Sequence, residues 1–310
     1  MKKRMVVALG HRALGTTLPA QKKAVKQSAA VLADLVEEGY QLAICHSNAP
    51  QVGMIHTAMN EFGKAHPDYT VAPMSVCSAM SQGYIGYDLQ NAMRAELLKR
   101  GISKTASTIL TQVLVDPYDD AFYHPVKVIG RYMTAEEADA EERKGNSVIE
   151  EPGKGFRRIV SAPRPKDIIE IDAIRTLLDA DQVVIACGGG GIPVLAQGVE
   201  LKGASAIIEK DYISGKLAEM VDADTLLILT TEPHLHLHYN TDRQEAIRAI
   251  TVSQAEEYIA DNQFPKASKL PKVQASVDFV KGKEGRTAII TDLEHAKAAL
   301  AGKDGTIITA

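Results

Sequence analysis

The 310-residue sequence contains no tryptophan, and aromatic residues make up only 5% of it. So few stacking side chains argue against a surface that reads unstacked nucleobases. Cysteine is equally scarce: Cys45, Cys77 and Cys187 lie far apart and form no C-x-x-C pair. That fits isolated reduced thiols better than a disulfide frame or a zinc site. Neither sign of charge dominates, with 35 Lys and Arg against 39 Asp and Glu and a net charge of −4. The global field therefore offers no pull toward nucleic acid or an anionic membrane. Long hydrophobic runs are missing too. The apolar stretch after the basic Met1-Lys2-Lys3-Arg4 covers only residues 5–9, too short for a secretory signal, and nothing later reaches membrane-spanning length. These absences predict a cytoplasmic protein that binds neither nucleic acid nor membrane.

What the chain does have is strand, loop and helix in alternation. Residues 5–9, 40–45, 107–115, 183–187, 225–230, 287–290 and 306–308 are short β-branched or apolar runs that predict buried strands. Helical spacing recurs over residues 20–38, 51–62, 75–100, 167–180, 212–221, 251–260, 271–280 and 293–300. The order predicts an α/β fold with a mainly parallel sheet. Residues 116–164 break the rhythm with four prolines, four glycines and a charged helix, and read as a small subdomain or lid.

The strand over 183–187 stops at Gly188, Gly189, Gly190 and Gly191. Glycine reaches φ > 0 and lets backbone N–H groups approach a ligand, so such a turn behind a strand makes a nest for an anion, commonly a phosphate. Ligands of open α/β sheets bind beyond the carboxyl ends of the strands. Loops 10–15, 46–53 and 188–191 are placed there. No G-x-x-x-x-G-K-[ST] and no G-x-G-x-x-G is present. The available cations are dispersed instead: Lys127 in the excursion, Lys210 beside Asp211, and Lys272 opening a late helix. Phosphoryl transfer asks mainly for positioning and cationic stabilisation, which separated lysines converging on a glycine loop can supply. His234, His236 and His238 alternate with leucine, so in an extended strand their imidazoles would share one face. That is a metal-site pattern lacking partners, since Glu232 is the nearest carboxylate, and a strand or loop beside a nucleotide is the plainer reading. No metal ligand is assigned.

Taken together, several stretches resemble carbamate kinases, members of the amino-acid-kinase fold, over essentially the whole chain. They are Val7-Ala8-Leu9-Gly10 with Ala13, His46 with Asn48 and Pro50-Gln51-Val52-Gly53, Ala79 through Tyr87, and Thr111-Gln112-Val113. Pro125 with Lys127, Ile129-Gly130, Ala186 through Pro193, Lys210-Asp211 and Pro271-Lys272 complete the set. The resemblance implies a three-layer αβα sandwich around a mainly parallel, about eight-stranded sheet. It also implies a homodimer and reversible transfer between ATP plus carbamate and ADP plus carbamoyl phosphate, with Mg2+. On that basis residues 1–310 form one domain: 1–115 and 166–205 an acyl-substrate lobe, 116–165 a lid, and 206–310 a nucleotide lobe.

The same resemblance implies that Lys127 reaches the substrate phosphate from the lid and Lys210 stabilises the transferring phosphoryl group. Asp211 orients lysines, and Lys272 contacts the ATP phosphates. Residues 188–191 donate N–H groups to the acyl phosphate, Asn48 helps hold carbamate, and Thr230 and Thr231 join the nucleotide side. The first loop departs from the family's Gly-Gly-Asn-Ala, reading Gly10-His11-Arg12-Ala13, and the second from His-Gly-Asn-Gly-Pro, reading His46-Ser47-Asn48-Ala49-Pro50. Thr230-Thr231-Glu232 replaces Thr-Asp-Val, and Ala267-Ser268-Lys269 replaces Gly-Ser-Met. Arg12 either grips a phosphate or a second carboxylate, or fills the pocket. Two alternatives thus stand beside a carbamate kinase: an impaired relative acting as a binding or regulatory subunit, and a kinase for a larger carboxylate.

Overall fold

The computed structural model describes residues 2–69, 71–266 and 268–310; Ala267, in one of the departing stretches, lies outside them. β1 (Arg4–Leu9) passes through a 3-10 turn (His11–Ala13) into α1 (Leu18–Glu37), followed by β2 (Gln41–His46), α2 (Ala49–Ala65) and α3 (Met74–Lys99). Next come β3 (Ala106–Thr108) and β4 (Gln112–Val115), then the excursion with β5 (Lys127–Met133), α4 (Ala135–Glu142), β6 (Ser147–Glu151) and β7 (Gly155–Val160). The chain returns through β8 (Pro165–Ile168), α5 (Ile171–Asp179), β9 (Val183–Ile185) and a 3-10 turn (Gly188–Gly190). A hairpin of β10 (Ile192–Gln197) and β11 (Glu200–Gly203) precedes α6 (Lys210–Met220) and β12 (Thr225–Thr230). The remainder is β13 (Leu235–Leu237), β14 (Glu245–Ile247), β15 (Ala249–Thr251), α7 (Val252–Ala260), α8 (Leu270–Lys281), β16 (Thr287–Asp292), α9 (Ala296–Leu300) and β17 (Thr306–Thr309).

Eight strands form one sheet in the order β15-β17-β16-β12-β1-β2-β9-β3, parallel except where β17 runs against β16. The side-chain alternation of β1 divides the core. Met5, Val7 and Leu9 face α1, α3 and α9, whereas Val6 and Ala8 face the layer of α5, α6, α7 and α8. This is the expected αβα sandwich, with β1 at its centre between β2 and β12. All three thiols are buried, and the Cys45 thiol donates to the Cys187 carbonyl at 3.1 Å.

Residues 107–115 are not one strand. β3 belongs to the large sheet and β4 to a second sheet ordered β11-β10-β4-β8. The break falls at Thr111, whose N–H donates to Gln82 Oε1 at 2.9 Å while its carbonyl accepts from Gln82 Nε2 at 3.2 Å. A side chain from α3 therefore takes the place of a strand partner. Likewise residues 167–180 are not all helix, because β8 occupies the first part and α5 begins at Ile171.

The excursion forms its own three-stranded antiparallel sheet, β5-β7-β6, with α4 beside it. Thr134 and Glu137 form a capping box that starts α4. A separate small core joins this subdomain to the body, with Ile129 and Val160 against Val52 and Ile55 of α2 and Ile207.

Candidate active site

The three loops expected beyond the carboxyl ends of the strands do meet. Ser47 N–H donates to the Leu9 carbonyl at 3.0 Å and Gly10 N–H to the Leu229 carbonyl at 3.0 Å, which brings the ends of β1, β2 and β12 together. A Cβ on Gly10 would stand 2.8 Å from that Leu229 oxygen, so the close approach requires glycine.

The tetraglycine turn is more tightly built than a flexible loop. Cys187 lies in the left-handed region at φ 54°, and Gly189, Gly190 and Gly191 follow at 67°, 97° and 88°. Each glycine is also sterically needed. A Cβ would meet His46 Nε2 at 2.4 Å from Gly188 and Asn48 Nδ2 at 2.0 Å from Gly189. From Gly190 it would meet the Ile208 carbonyl at 2.1 Å, and from Gly191 Val113 at 2.2 Å. Not all four amides face a ligand. Gly190 N–H donates to the Cys187 carbonyl and Gly191 N–H to that of Gly188, both at 3.1 Å. Gly188 and Gly189 keep N–H groups that donate to no protein acceptor among the described residues. The nest therefore offers two donors where four were expected.

A buried polar scaffold fixes this turn. Gln82 Nε2 donates to the Gly188 carbonyl at 3.0 Å, Cys187 N–H donates to Thr111 Oγ1 at 3.0 Å, and Asn48 Nδ2 donates to Ser81 Oγ at 2.8 Å. Ser81, Gln82 and Thr111 are support residues that the sequence reading did not assign to the site. Their side chains are buried, as are Ser75, Ser78 and Asp88 on α3, so no local pattern singles out Ser81 and Gln82. His46 is fully buried, its Nδ1–H donates to the Ser47 carbonyl at 3.0 Å, and burial lowers its pKa to about 4. It is a neutral ring wedged against Gly188.

Lys210 and Asp211 open α6, two residues earlier than the helix expected from residue 212. Lys210 is ion-paired to Asp211 Oδ1, and Lys272, from the first turn of α8, lies 2.7 Å from Asp211 Oδ2. Burial by itself would raise the Asp211 pKa, but the two ammonium groups outweigh it and hold the carboxylate charged. His11 is exposed, and its pKa is lowered by partial desolvation first and then by Arg12, Lys272 and Lys210, which places it within the field of both lysines. Arg12 is exposed and, among the described residues, has no carboxylate partner.

Lys127, at the base of the lid strand β5, is ion-paired to Glu209, the residue before Lys210. Ala49 begins α2 directly after Asn48, and Ser47 precedes it. Thr230 ends β12 in register with Asp292, with Thr231 following. The three histidines do not converge. β13 covers only residues 235–237, and His238 leaves it at φ 50°. His234 Nε2 pairs with Asp304 at 2.9 Å, while His236 Nδ1 lies 3.7 Å from Glu232. The strand ends too early to align all three imidazoles on one face.

Residues 3–292 match the model of the amino acid kinase family, and the chain belongs to that family. Within it, the chain stands with the carbamate kinases. It is 47% identical over 308 residues to the carbamate kinase-like protein YqeA of Escherichia coli, covering 99% of each chain. It is 44% identical to the carbamate kinase of Clostridium perfringens, covering 98% of this chain and 99% of that one. The structure of carbamate kinase from Giardia lamblia bound to AMP-PNP superposes with a TM-score of 0.93 at 34% identity, covering 99% and 98% of the two chains.

Proposed function

We propose that this chain is a phosphotransferase of the carbamate kinase type, interconverting ATP plus carbamate with ADP plus carbamoyl phosphate. The observation that carries this reading is the convergence of Lys210 and Lys272 on one buried carboxylate, Asp211, beside the tetraglycine turn. In the forward direction a carbamate oxygen attacks the γ-phosphorus. A new P–O bond forms, the bond to the bridging oxygen of ADP breaks, and ADP leaves with that electron pair. Such a transition state gains mostly from preplaced cations and N–H donors.

In this reading Lys210 stabilises the moving phosphoryl group, Lys272 contacts the nucleotide phosphates, and Asp211 keeps both ammonium groups in place. Gly188 and Gly189 donate N–H groups to the acyl phosphate, with Asn48, Ser47, Ala49, Gly10 and His11 forming the facing wall. Lys127 leaves Glu209 for the substrate phosphate as the 116–165 lid closes over the acyl lobe (1–115 and 166–205). Thr230 and Thr231 flank the nucleotide within the 206–310 lobe. Among the described residues no three His, Cys, Asp or Glu side chains form a metal cage, and Asp211 is committed to two lysines. Mg2+ therefore fits as a companion of the nucleotide phosphates, whose charge it would offset, and not as a resident ion. The family resemblance supports a homodimer, which light scattering checks.

The test is a coupled assay for ATP formation from ADP and carbamoyl phosphate with Mg2+. Turnover is expected. Folded protein that binds AMP-PNP but gives no ATP would rule out this substrate. The unpaired Arg12 favours one second reading, a kinase for a carboxylate with an additional anionic group. Under it, a panel of carboxylates yields a substrate whose turnover Arg12→Ala abolishes.

A further inference from the structure

A second cleft, of about 570 Å³, opens between α2 and the lid and is lined by side chains of α2, β5, α4 and β7. None of Asn48, Lys127, Lys210, Lys272 or the tetraglycine turn lines it. The lid strand closes against α2 at one end of the cleft, where a Cβ on Gly53 would lie 3.3 Å from Gly130 Cα.

Its wall holds Arg158, whose side chain is only 15% exposed. Three groups hold the guanidinium in place. Nη2–H donates to Asn146 Oδ1 at 2.7 Å, Nη1 lies 3.3 Å from His56 Nε2, and Nε faces Glu141 at 3.7 Å, too far for a hydrogen bond. His56 suits this role as a neutral acceptor, since burial first and Arg158 second lower its pKa. Glu141 is occupied elsewhere: Lys144 takes Oε1 at 2.6 Å and Asn146 takes Oε2 at 2.7 Å. Arg158 thus has no hydrogen-bonded counter-ion, and its Nε is buried without a partner.

Most other largely buried cations among the described residues are held more closely. The buried cations Lys104, Lys210, Lys269, Lys272, Arg100 and Arg286 each have a carboxylate oxygen within 3.1 Å. A buried charge is normally paired or bound to something, because its desolvation is otherwise uncompensated. The one held only by a longer ion pair, to Glu141 at 3.7 Å, borders a cleft of ligand size whose wall carries both Lys64, Arg131 and Lys144 and Glu61, Glu137 and Glu141.

We infer that the cleft between α2 and the lid is an oxyanion site in which Arg158, steered by His56 and Asn146, takes the carboxylate or phosphate group of a small metabolite. Guanidinium suits both groups through its planar fork. Because Arg158 belongs to the lid and His56 to the body, an occupant ties the two together. The inference is independent of which acyl group the enzyme phosphorylates.

Crystals of the full chain soaked in selenate, a tetrahedral oxyanion located by its anomalous signal, test this directly. A peak within hydrogen-bond reach of the Arg158 guanidinium is expected, separate from any peak at the tetraglycine turn. Calorimetric titrations with inorganic phosphate and with acetate, in the presence of saturating AMP-PNP, then separate the two ligand sources. The stronger binder is expected to weaken about tenfold or more in Arg158→Met and to be partly retained in Arg158→Lys. Selenate found only at the tetraglycine turn, or isotherms unchanged by Arg158→Met, would overturn the assignment. The wild-type soak decides the matter even if Arg158→Met does not fold.

Discussion

Asp211 Oδ2 lies 2.7 Å from Lys272 Nζ, although 61 residues separate the two in the chain. The other oxygen of the same carboxylate holds Lys210. One buried anion thus sets the positions of two cations carried by different helices.

Replacing that carboxylate exposes the arrangement. Asp211→Asn leaves two ammonium groups close together without their counter-ion. Loss of about 3 kcal/mol of stability is expected from breaking a buried pair, and activity should fall roughly 100-fold or more as the cations lose their placement. Lys272→Met should cost less stability, since Lys210 still serves Asp211. Denaturation midpoints and the coupled assay check both, and an Asn variant with native kcat/KM would refute the role.

The buried His46 makes stability pH-dependent. Its folded pKa of about 4 lies below the unfolded value of about 6.5. The unfolded state therefore binds more protons between those values, and stability falls as pH drops from 6.5 to 4. The full effect is about 3 kcal/mol and is absent above pH 6.5. Urea unfolding of the wild type and His46→Gln at pH 7 and pH 5 measures it. The variant should show a smaller loss on acidification, with His11, His56 and His236, also lowered, accounting for what remains.

Three glycine-to-alanine changes should diverge. Gly83 sits in α3 with nothing near its missing Cβ, so Gly83→Ala is expected to stabilise by about 0.5–1 kcal/mol. Three residues on, a Cβ at Gly86 would stand 2.4 Å from Thr108 Cγ2, and Gly86→Ala should destabilise by roughly 1–3 kcal/mol. Gly189→Ala drives a Cβ into Asn48 at positive φ and should abolish turnover. Thermal melts and the coupled assay distinguish the three; a fully active Gly189→Ala would contradict the geometry.

A second ion pair places α8. Lys269, 7% exposed, pairs with Glu232 at 2.7 Å, and Tyr239 O–H donates to the other Glu232 oxygen at 2.7 Å. The Lys269 carbonyl accepts from Lys272 N–H at 3.0 Å, so this contact sets where Lys272 begins its reach. Glu232→Gln is expected to raise KM for ATP about tenfold, a loss typical of one displaced charge-assisted contact, with a smaller change in kcat. The exchanged pair Glu232→Lys/Lys269→Glu should recover part of it. Equal falls in kcat at unchanged KM would count against positioning.

Much of this architecture was legible because it depends on local pattern. The apolar runs at 5–9 and 225–230 could bury only as strands, and the glycines behind residue 187 marked a ligand turn. What escaped depended on distant side chains. No local signal separates β3 from β4, since the bend is set by Gln82, 29 residues upstream. Alternation placed three histidines on one face, yet β13 ends before the third. Nothing local marks Glu209 or Glu232 as the partners of Lys127 and Lys269, which folding sets against them.

The sealed thiols have a practical consequence. Burial pushes the Cys45 thiol up to about 11 and raises that of Cys187 well above its ordinary value, and Cys77 is buried as well. Thiolate is the reactive species, so thiol-directed reagents find no accessible thiolate in the closed molecule. A maleimide added to the native protein consequently works as a stopwatch, in which the rate of labelling reports how often the central sheet opens.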